Sequence, residues 1–373
     1  MAAAPNNAKW FVGGNEFYPA LLSAITQART SVDLEIYIYA NDTVGNQFLE
    51  ALIAAAQRSV KVRLLVDAFG SFTLPVNFFE PLQQAGGEIR FFNPLRFTRF
   101  GVRNHRKLLV CDRQTAFFGG ANICDCHVGD GITQGWLDLM AQISDAEIAM
   151  QLVEAFDQTF ANADFAKSKL RRLRVFRRFR ADTHETRIFA IRPGRGASSF
   201  QRALHQELAS TKNTDIIVPY FLPSRSFRKR LRQIIQRGGR VRLILPALCD
   251  VPLAQAAGRI YYARLLRAGV EIYEYQPQVL HAKLCLVGET VFAGSSNLDM
   301  RSLNLNYELM LRFTGQTTVA GAKEIFAEAL KHSRRIEAKT FRQSQNFWQR
   351  WKNYWAHFLI ARVDPLIALR HIR

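Results

Sequence analysis

Two short strings place the same chemically capable side chains in the same order. His105-Arg106-Lys107 opens a run ending in Cys111-Asp112, and Gly119-Gly120-Ala121-Asn122 follows it. His281-Ala282-Lys283 opens a second run ending in Val287-Gly288, followed by Gly294-Ser295-Ser296-Asn297. One His with Lys two places on is weak evidence. Two such pairs, each leading to a small-residue turn closed by Asn, are a pattern. On an extended strand, residues i and i+2 share a face, so each imidazole is presented beside an ammonium group. Brought into one cleft, the two strings supply two imidazoles, two ammonium groups and two amides. That set suits a phosphodiester. Lys107, Lys283, Asn122 and Asn297, with Gly120, Ser295 and Ser296 of the turns, would hold phosphoryl oxygens. One His would attack phosphorus and the other would protonate the leaving alcohol.

The elements that must position these groups are themselves duplicated. Val62-Arg63-Leu64-Leu65-Val66 returns as Val241-Arg242-Leu243-Ile244-Leu245, and Gln84-Ala85-Gly86-Gly87-Glu88-Ile89 returns as Arg267-Ala268-Gly269-Val270-Glu271-Ile272. The copies stay about 180 residues apart, which indicates duplication of a whole lobe. Apolar runs at Leu34–Tyr39 and Ile216–Tyr220 read as strands, and Phe48–Ala56 and Phe227–Ile235 as helices. The alternation predicts an α/β fold. It consists of two lobes, each a mixed and mostly parallel sheet between helices, packed about a pseudo-twofold axis. Later strands are expected at Lys107–Cys111, Ala116–Phe118 and Leu139–Ile143, with counterparts at Lys283–Val287, Val291–Ala293 and Glu308–Leu311. The expected divisions are residues 1–180, with a basic linker from about 165, then 198–335, and a basic aromatic tail over 336–373.

The 373 residues carry 50 Lys and Arg against 31 Asp and Glu, a formal charge of +19. Such a field draws polyanions or anionic membrane surfaces, whatever the fold. Five cysteines, an odd and sparse set, argue against a disulfide framework and for a reducing compartment. No leader of the secretory kind is read at the N-terminus. No apolar stretch approaches the length needed to span a bilayer, so work at a membrane means work on its surface. The aromatic residues Trp348, Trp351 and Trp355 recur at helical spacing among Arg350, Lys352, Arg362 and Arg370, which suits an interfacial helix as well as core packing. Lys167 to Arg180 holds eight Lys and Arg in fourteen residues, either a solvated linker or an attraction to anionic lipid.

The paired HxK strings with GGxN and GSxN resemble the phospholipase D superfamily. Gly294 to Glu308, Pro219-Tyr220-Phe221-Leu222-Pro223 and Gly135-Trp136-Leu137-Asp138 resemble its bacterial cardiolipin synthase branch. The resemblance covers roughly residues 10 to 335. It implies a two-step phosphatidyl transfer through a covalent phosphohistidine, with no metal and no cofactor. His105 would be nucleophile, and His281 general acid and then base. Glu308, 27 positions after His281, and Asp138, its first-lobe counterpart, would each orient the imidazole they follow, as carboxylates do in other triads. The implied substrates are phosphatidylglycerol, with phosphatidylethanolamine as an alternative donor. The implied place is cytoplasmic, peripheral on the inner face of the cell membrane, with no obligatory protein partner.

The motif's closing acid is Asp112 in the first copy, but Gly288 stands in its place in the second. Glu289 is the nearest substitute, and the loss bears on the second loop's stability before it bears on activity. Cys124-Asp125-Cys126-His127 could be read as a metal cluster, but no distant pair completes a site, so a loop is the better reading. Three other functions compete with lipid transfer: phospholipase D-type hydrolysis, metal-independent cleavage of nucleic acid, and a non-catalytic basic scaffold. The Gly294–Glu308 string and the aromatic C-terminal stretch favour lipid over nucleic acid.

Overall fold

The computed structural model describes residues 7–94, 101–163, 185–194, 196–344 and 346–360. The basic run from Lys167 to Arg180, and Arg362 and Arg370, lie outside the described residues.

The first lobe runs β1 (Lys9–Val12), α1 (Gly14–Gln27), β2 (Ser31–Ile36), α2 (Thr43–Gln57), β3 (Lys61–Asp67), α3 (Glu80–Gln84), β4 (Glu88–Phe92), β5 (Leu108–Cys111), β6 (Thr115–Gly119), β7 (Leu139–Ser144) and α4 (Ala146–Ala161). The second runs β8 (Thr186–Ile191), α5 (Ser199–Ser210), β9 (Asn213–Ile217), α6 (Arg225–Gln236), β10 (Arg240–Pro246), α7 (Pro252–Arg259), α8 (Tyr262–Arg267), β11 (Glu271–Tyr275), β12 (Leu284–Val287), β13 (Thr290–Gly294), α9 (Met300–Asn304), β14 (Glu308–Phe313) and α10 (Gln316–Lys331). β15 (Ser333–Arg335), α11 (Ala338–Ser344) and α12 (Phe347–Phe358) follow. Polar side chains start the helices where the chain leaves a strand. Asp42 accepts from Gly45 N at 2.9 Å, Asp145 from Ile148 N at 2.9 Å, and Ser224 from Phe227 N at 3.2 Å. Each satisfies an amide that the first helical turn leaves open.

The sheet orders are β1-β7-β6-β5-β2-β3-β4 and β15-β11-β10-β9-β12-β13-β14-β8. Both sheets are mixed, but the parallel part is confined to β2-β3-β4 and β9-β10-β11. The remaining pairs are antiparallel. The reason is connection length. Helices α2 and α6 allow a parallel return, whereas Asp112–Gln114 and Gly288–Glu289 are tight turns that permit only an antiparallel hairpin.

One apolar core is shared by the lobes. It joins Leu108, Val110, Leu139 and Phe118 to Leu284, Leu286, Leu309 and Phe313, and takes in α4 through Phe156 and α10 through Phe326. The opposite sheet faces carry separate cores under α1 and α2 and under α5 and α6. Strands β5, β12 and β13 are buried along their whole length. Apolar cover on both faces accounts for their unbroken hydrophobic runs.

Backbone hydrogen bonds cross between the lobes twice, in equivalent places. His105 N donates to Tyr307 O at 2.9 Å and Tyr307 N to Arg103 O at 2.8 Å. His281 N donates to Leu137 O at 2.8 Å and Leu137 N to Val279 O at 2.9 Å. Arg106, wholly buried, adds a bridge of its own: Nε donates to Glu308 O at 3.2 Å, Nη1 to Thr159 Oγ1 at 2.9 Å and Nη2 to Ile191 O at 3.3 Å. Its counterpart in the second string is Ala282.

Candidate active site

The two inter-lobe bridges decide which carboxylate meets which imidazole. Glu308 follows Tyr307, which is tied to the His105 segment, and Asp138 follows Leu137, which is tied to the His281 segment. Accordingly, His105 Nδ1 stands 3.0 Å from Glu308 Oε2, and His281 Nδ1 stands 2.6 Å from Asp138 Oδ2. Each ring is held by the acid of the other lobe. With Nδ1–H given to a carboxylate, Nε2 is left as the reactive nitrogen.

The lysines lie beside these pairs. Lys107 Nζ donates to His105 O at 2.8 Å. Lys283 Nζ donates to His281 O and stands 2.9 Å from Nδ1 and 3.2 Å from Nε2 of that ring. All six groups are buried. Burial foremost, then the charges of Lys107 and Lys283, holds His105 well below its ordinary pKa. Burial, Lys283 and Lys107 do the same to His281. Both ammonium groups are lowered by burial, and Lys107 also by Lys283. Burial raises Asp138. It raises Glu308 to about 7, against the opposing pull of Lys107 and the side chains of Ser295, Asn306 and Ser302. The cluster sets two lysines and two carboxylates beside the imidazoles in a buried setting that disfavours charge on the rings.

The turns are fitted closely around the acids. A Cβ at Gly120 would come 2.2 Å from Asp138 Oδ1, so only glycine admits that carboxylate. Ser295 Oγ donates to Glu308 Oε2 at 2.5 Å. Ser296 Oγ is turned to Asn297 O at 3.1 Å and does not join the cluster. Asn122 is engaged in the scaffold. Its Oδ1 accepts from Ile38 N at 3.2 Å and its carbonyl accepts from Tyr18 OH at 2.7 Å. Asn297 is buried, and its Oδ1 has no partner among the described residues.

Asp112 lies apart from this cluster, at the far end of β5. An extended strand of five residues puts it roughly 16 Å from Lys107. Its carboxylate accepts from Arg29 N, Thr30 N, Thr30 Oγ1 and Ser31 N at 2.7–3.0 Å. Partial burial raises its pKa, but the bonds from Thr30, Ser31 and Arg29 outweigh this and lower it. In the second lobe Gly288 occupies the same turn, with φ +62° against +54° for Asp112. There the turn is tied by Gly288 N donating to Asn213 O at 3.0 Å, and Thr211 braces Asn213, its Oγ1 donating to Asn213 O at 2.8 Å and accepting from Asn213 N at 3.2 Å. Glu289 is not the substitute, since it pairs with Lys323 at 2.7 Å on the surface.

Several neighbours of the cluster escaped the sequence reading. His127 is fully buried, accepts from Asn122 N at Nε2 (3.3 Å), and lies 3.8 Å from Asp138 by Nδ1. Its ring is 5.6 Å from that of His281, and Trp136 completes the wall 5.6 Å from His281. Burial and the surrounding cations lower His127 to about 3. Tyr37 meets His105 edge-on at 4.8 Å. The signal was a shared offset: His127 and Ser302 each lie five residues after the motif Asn, and each serves the carboxylate of its own lobe.

His127, Asp138 and His281 each bring one ligand atom within 4.8 Å of the others, as do Cys124, Cys126 and His127. The first trio already carries the His281–Asp138 bond and faces the Lys283 ammonium, whose charge opposes a second cation there. In the second, Cys124 and Cys126 are joined by a local disulfide that the sequence reading did not name; Cys111, Cys249 and Cys285 are free.

The aromatic stripe of α12 faces outward. Trp348, Trp351 and Trp355 are 70, 52 and 44% exposed, while Asn353 and Ala356 form the buried face. The helix is moored by Tyr261 OH and His357 Nε2 at 2.6 Å. Among the described residues, no helix is long and apolar enough to cross a membrane.

A family model described as cardiolipin synthase, phospholipase D-like domain, matches residues 21–160 and again 204–330. Cardiolipin synthase 1 of Bacillus cereus is 30% identical over 355 residues, covering 92% of this chain and 70% of the relative. Cardiolipin synthase A of Pseudomonas putida is 34% identical over 318 residues, covering 83% of this chain and 65% of the relative. The fold matches that of phosphatidylserine synthase of Haemophilus influenzae with a TM-score of 0.75 at 16% identity, over 98% of this chain and 96% of that one. A duplicated family match and relatives of this closeness settle the lineage: the chain belongs to the cardiolipin synthase family built from phospholipase D-like domains.

Proposed function

We propose that this protein moves a phosphatidyl group from one phospholipid to the free hydroxyl of phosphatidylglycerol, giving cardiolipin and a small alcohol. The observation that carries this reading is the crosswise pairing of His105 with Glu308 and His281 with Asp138, beside two buried lysines. The names of the relatives support the substrate class.

In the first step His105 Nε2 attacks phosphorus. The bond from phosphorus to the headgroup oxygen breaks, and His281 Nε2–H delivers its proton to that oxygen. In the second step the acceptor hydroxyl gives its proton to His281 and attacks the phosphohistidine, and the P–N bond breaks. Depressed pKa values favour a neutral, nucleophilic His105. A bound phosphodiester brings the negative charge that lets His281 hold a proton. Lys107 and Lys283 neutralise the phosphoryl oxygens, and Asn122 and Asn297 donate to them through their amide N–H groups. The exposed tryptophans of α12 support a peripheral position on a membrane, with aromatics at headgroup level. Phosphatidylglycerol is the favoured donor, and phosphatidylethanolamine the alternative.

The test is product analysis with purified protein and phosphatidylglycerol vesicles. Cardiolipin and glycerol are expected. Phosphatidic acid in place of cardiolipin identifies a hydrolase, and cleavage of plasmid DNA with no lipid product identifies a nuclease. Either result overturns the reading.

A further inference from the structure

The pseudo-twofold relation between the lobes breaks down most sharply in one pair of helices. α2 of the first lobe contains no Lys or Arg, whereas its counterpart α6 reads Arg225-Ser226-Phe227-Arg228-Lys229-Arg230-Leu231-Arg232 over its first two turns. The catalytic strings have no use for this difference, and the fold needs none of it: the buried face of α6 is Phe227, Leu231 and Ile234.

These cations line a cavity. A space of about 760 Å³ lies between the start of α6, α7, the Asp299–Arg301 segment and the end of α12, and Arg225, Arg228 and Arg264 face it. A second groove of about 580 Å³ shares those three arginines and adds Arg232 and Arg267. Among the described residues, none of these five is in an ion pair with a carboxylate. Arg228 lies 4.4 Å over the ring of Tyr261 and donates to Pro223 O at 2.5 Å. Asp299, the one acid on the wall of the larger cavity, is turned to Ser302 N at 2.7 Å, and burial raises its pKa to about 6. Unpaired guanidinium groups gathered round a cavity, at the positive end of a twelve-residue helix, form a site for a phosphate.

The other walls tell which phosphate. Leu222, Val251, Ala254 and Ile260 are apolar, and α12, with its exposed tryptophans, forms one rim. A nucleic acid backbone asks for an open stripe of cations. A partly open cavity with a largely apolar wall, beside an aromatic ridge, asks for a headgroup with hydrocarbon behind it. The Asp299–Arg301 wall begins two residues after Asn297, so the cavity adjoins the catalytic turn.

We propose that the arginine-lined cavity of the second lobe binds the headgroup phosphate of a second anionic phospholipid, distinct from the phosphate held between His105 and His281. Helix α2, the first-lobe counterpart of α6, carries no Lys or Arg, so the two lipids of a transfer meet unlike surfaces. The choice of a phospholipid rests on the transfer reading. The cavity's affinity for a lipid phosphate does not, and the experiment therefore measures binding without turnover.

Dihexanoylphosphatidylglycerol is titrated calorimetrically into the His105→Ala protein, with and without Arg225→Gln and Arg264→Gln together. Both arginines are exposed, so the fold should survive; Arg264→Gln alone is the fallback. Two lipids per chain are expected without the arginine changes, and with them one, or a second site weakened at least about tenfold. Restoring charge with Arg225→Lys and Arg264→Lys should recover part of the loss. Unchanged stoichiometry and affinity overturn the proposal. So does equal displacement of the second lipid by inorganic phosphate, or its displacement by a short oligonucleotide at lower concentration. If two lipids bind and the arginine changes remove one, while the unmodified enzyme makes no cardiolipin, the transfer reading fails and the site stands.

Discussion

Glu308 Oε2, on a strand of the second lobe, stands 3.0 Å from Nδ1 of His105 in the first, and Asp138 answers across the same boundary at 2.6 Å from Nδ1 of His281. Neither His105 nor His281 takes its carboxylate from its own lobe. The inter-lobe bonds at Tyr307 and Leu137 thus fix both pairs, because a slip of one residue there would turn both acids away.

The crosswise arrangement makes the acids separable by step. Glu308→Gln should behave like His105→Ala and fail to form a phosphoenzyme. Asp138→Asn should behave like His281→Ala with a substrate whose leaving group needs no proton: the phosphoenzyme forms and then accumulates. Each change should lower kcat by about 10³–10⁴-fold, the scale found when a triad carboxylate is neutralised. Phosphopeptide mapping under alkaline quench, which preserves the P–N bond, after mixing with a 4-nitrophenyl phosphodiester reads the difference. Accumulation in the Glu308 variant and not in the Asp138 variant would mean that the acids serve their own lobes.

Acid should inhibit the enzyme near neutrality. Burial lifts Glu308 to about 7, and its proton removes the negative charge that accepts His105 Nδ1–H. kcat/KM should therefore rise with pH through about 7, and the limb should be absent in the residual activity of Glu308→Gln. Stability should run the other way. A carboxyl whose folded pKa lies above its unfolded value favours the fold at low pH, and that contribution is lost as pH rises through about 7. Glu308→Gln should therefore raise Tm at pH 8 and change it little at pH 5. A variant less stable than the parent at pH 8 would show that the ionised carboxylate helps to hold the lobes together.

The chemistry of the site was legible because it is local. His105 and Lys107 share a strand, as do His281 and Lys283, and the period of two in the sequence carries that fact without further information. The duplication was legible for a similar reason, since Val62–Val66 and Val241–Leu245 are near-copies. The partner of each imidazole was not. Glu308 follows His281 along the chain and serves His105, which depends on a bridge 202 residues long between Tyr307 and His105. His127 was hidden for another reason: beside two cysteines it reads as a loop residue, and its burial against Asp138 is a tertiary fact. The sense of the strands after the motifs was misread because βαβ repeats suggest parallel pairing, while two-residue and three-residue turns enforce hairpins.

Asp112 and Gly288 occupy equivalent turns but tie them differently, and stability should report it. Asp112→Ala removes the acceptor for three backbone amides and a hydroxyl at Arg29–Ser31. The expected cost is about 1–2 kcal/mol, with kcat per folded molecule unchanged. Since its pKa is lowered in the fold, the deficit should be largest at neutral pH and shrink as the parent's carboxylate is protonated in acid. Thr211→Val should be the second-lobe counterpart and show no such pH dependence. Chemical denaturation at pH 7 and pH 3 separates the two. A large loss of kcat in folded Asp112→Ala would return that residue to the catalytic set.

The exposed face of α12 is the last element with a consequence that a membrane can read. Core helices bury their aromatics; here Asn353 and Ala356 are buried while the tryptophans face outward, so replacing the tryptophans should leave the fold intact. Changing Trp348, Trp351 and Trp355 together to Ala should abolish sedimentation with phosphatidylglycerol vesicles and leave Tm within a degree or two. It should also slow turnover on vesicles while sparing turnover of a monomeric short-chain lipid, because the ridge touches neither histidine. High salt should weaken the binding of the parent only in part, since screening removes the attraction of the basic surface but not the burial of indole rings. If the triple variant sediments as the parent does, the ridge serves another contact, and membrane attachment must be sought in the cationic surface alone.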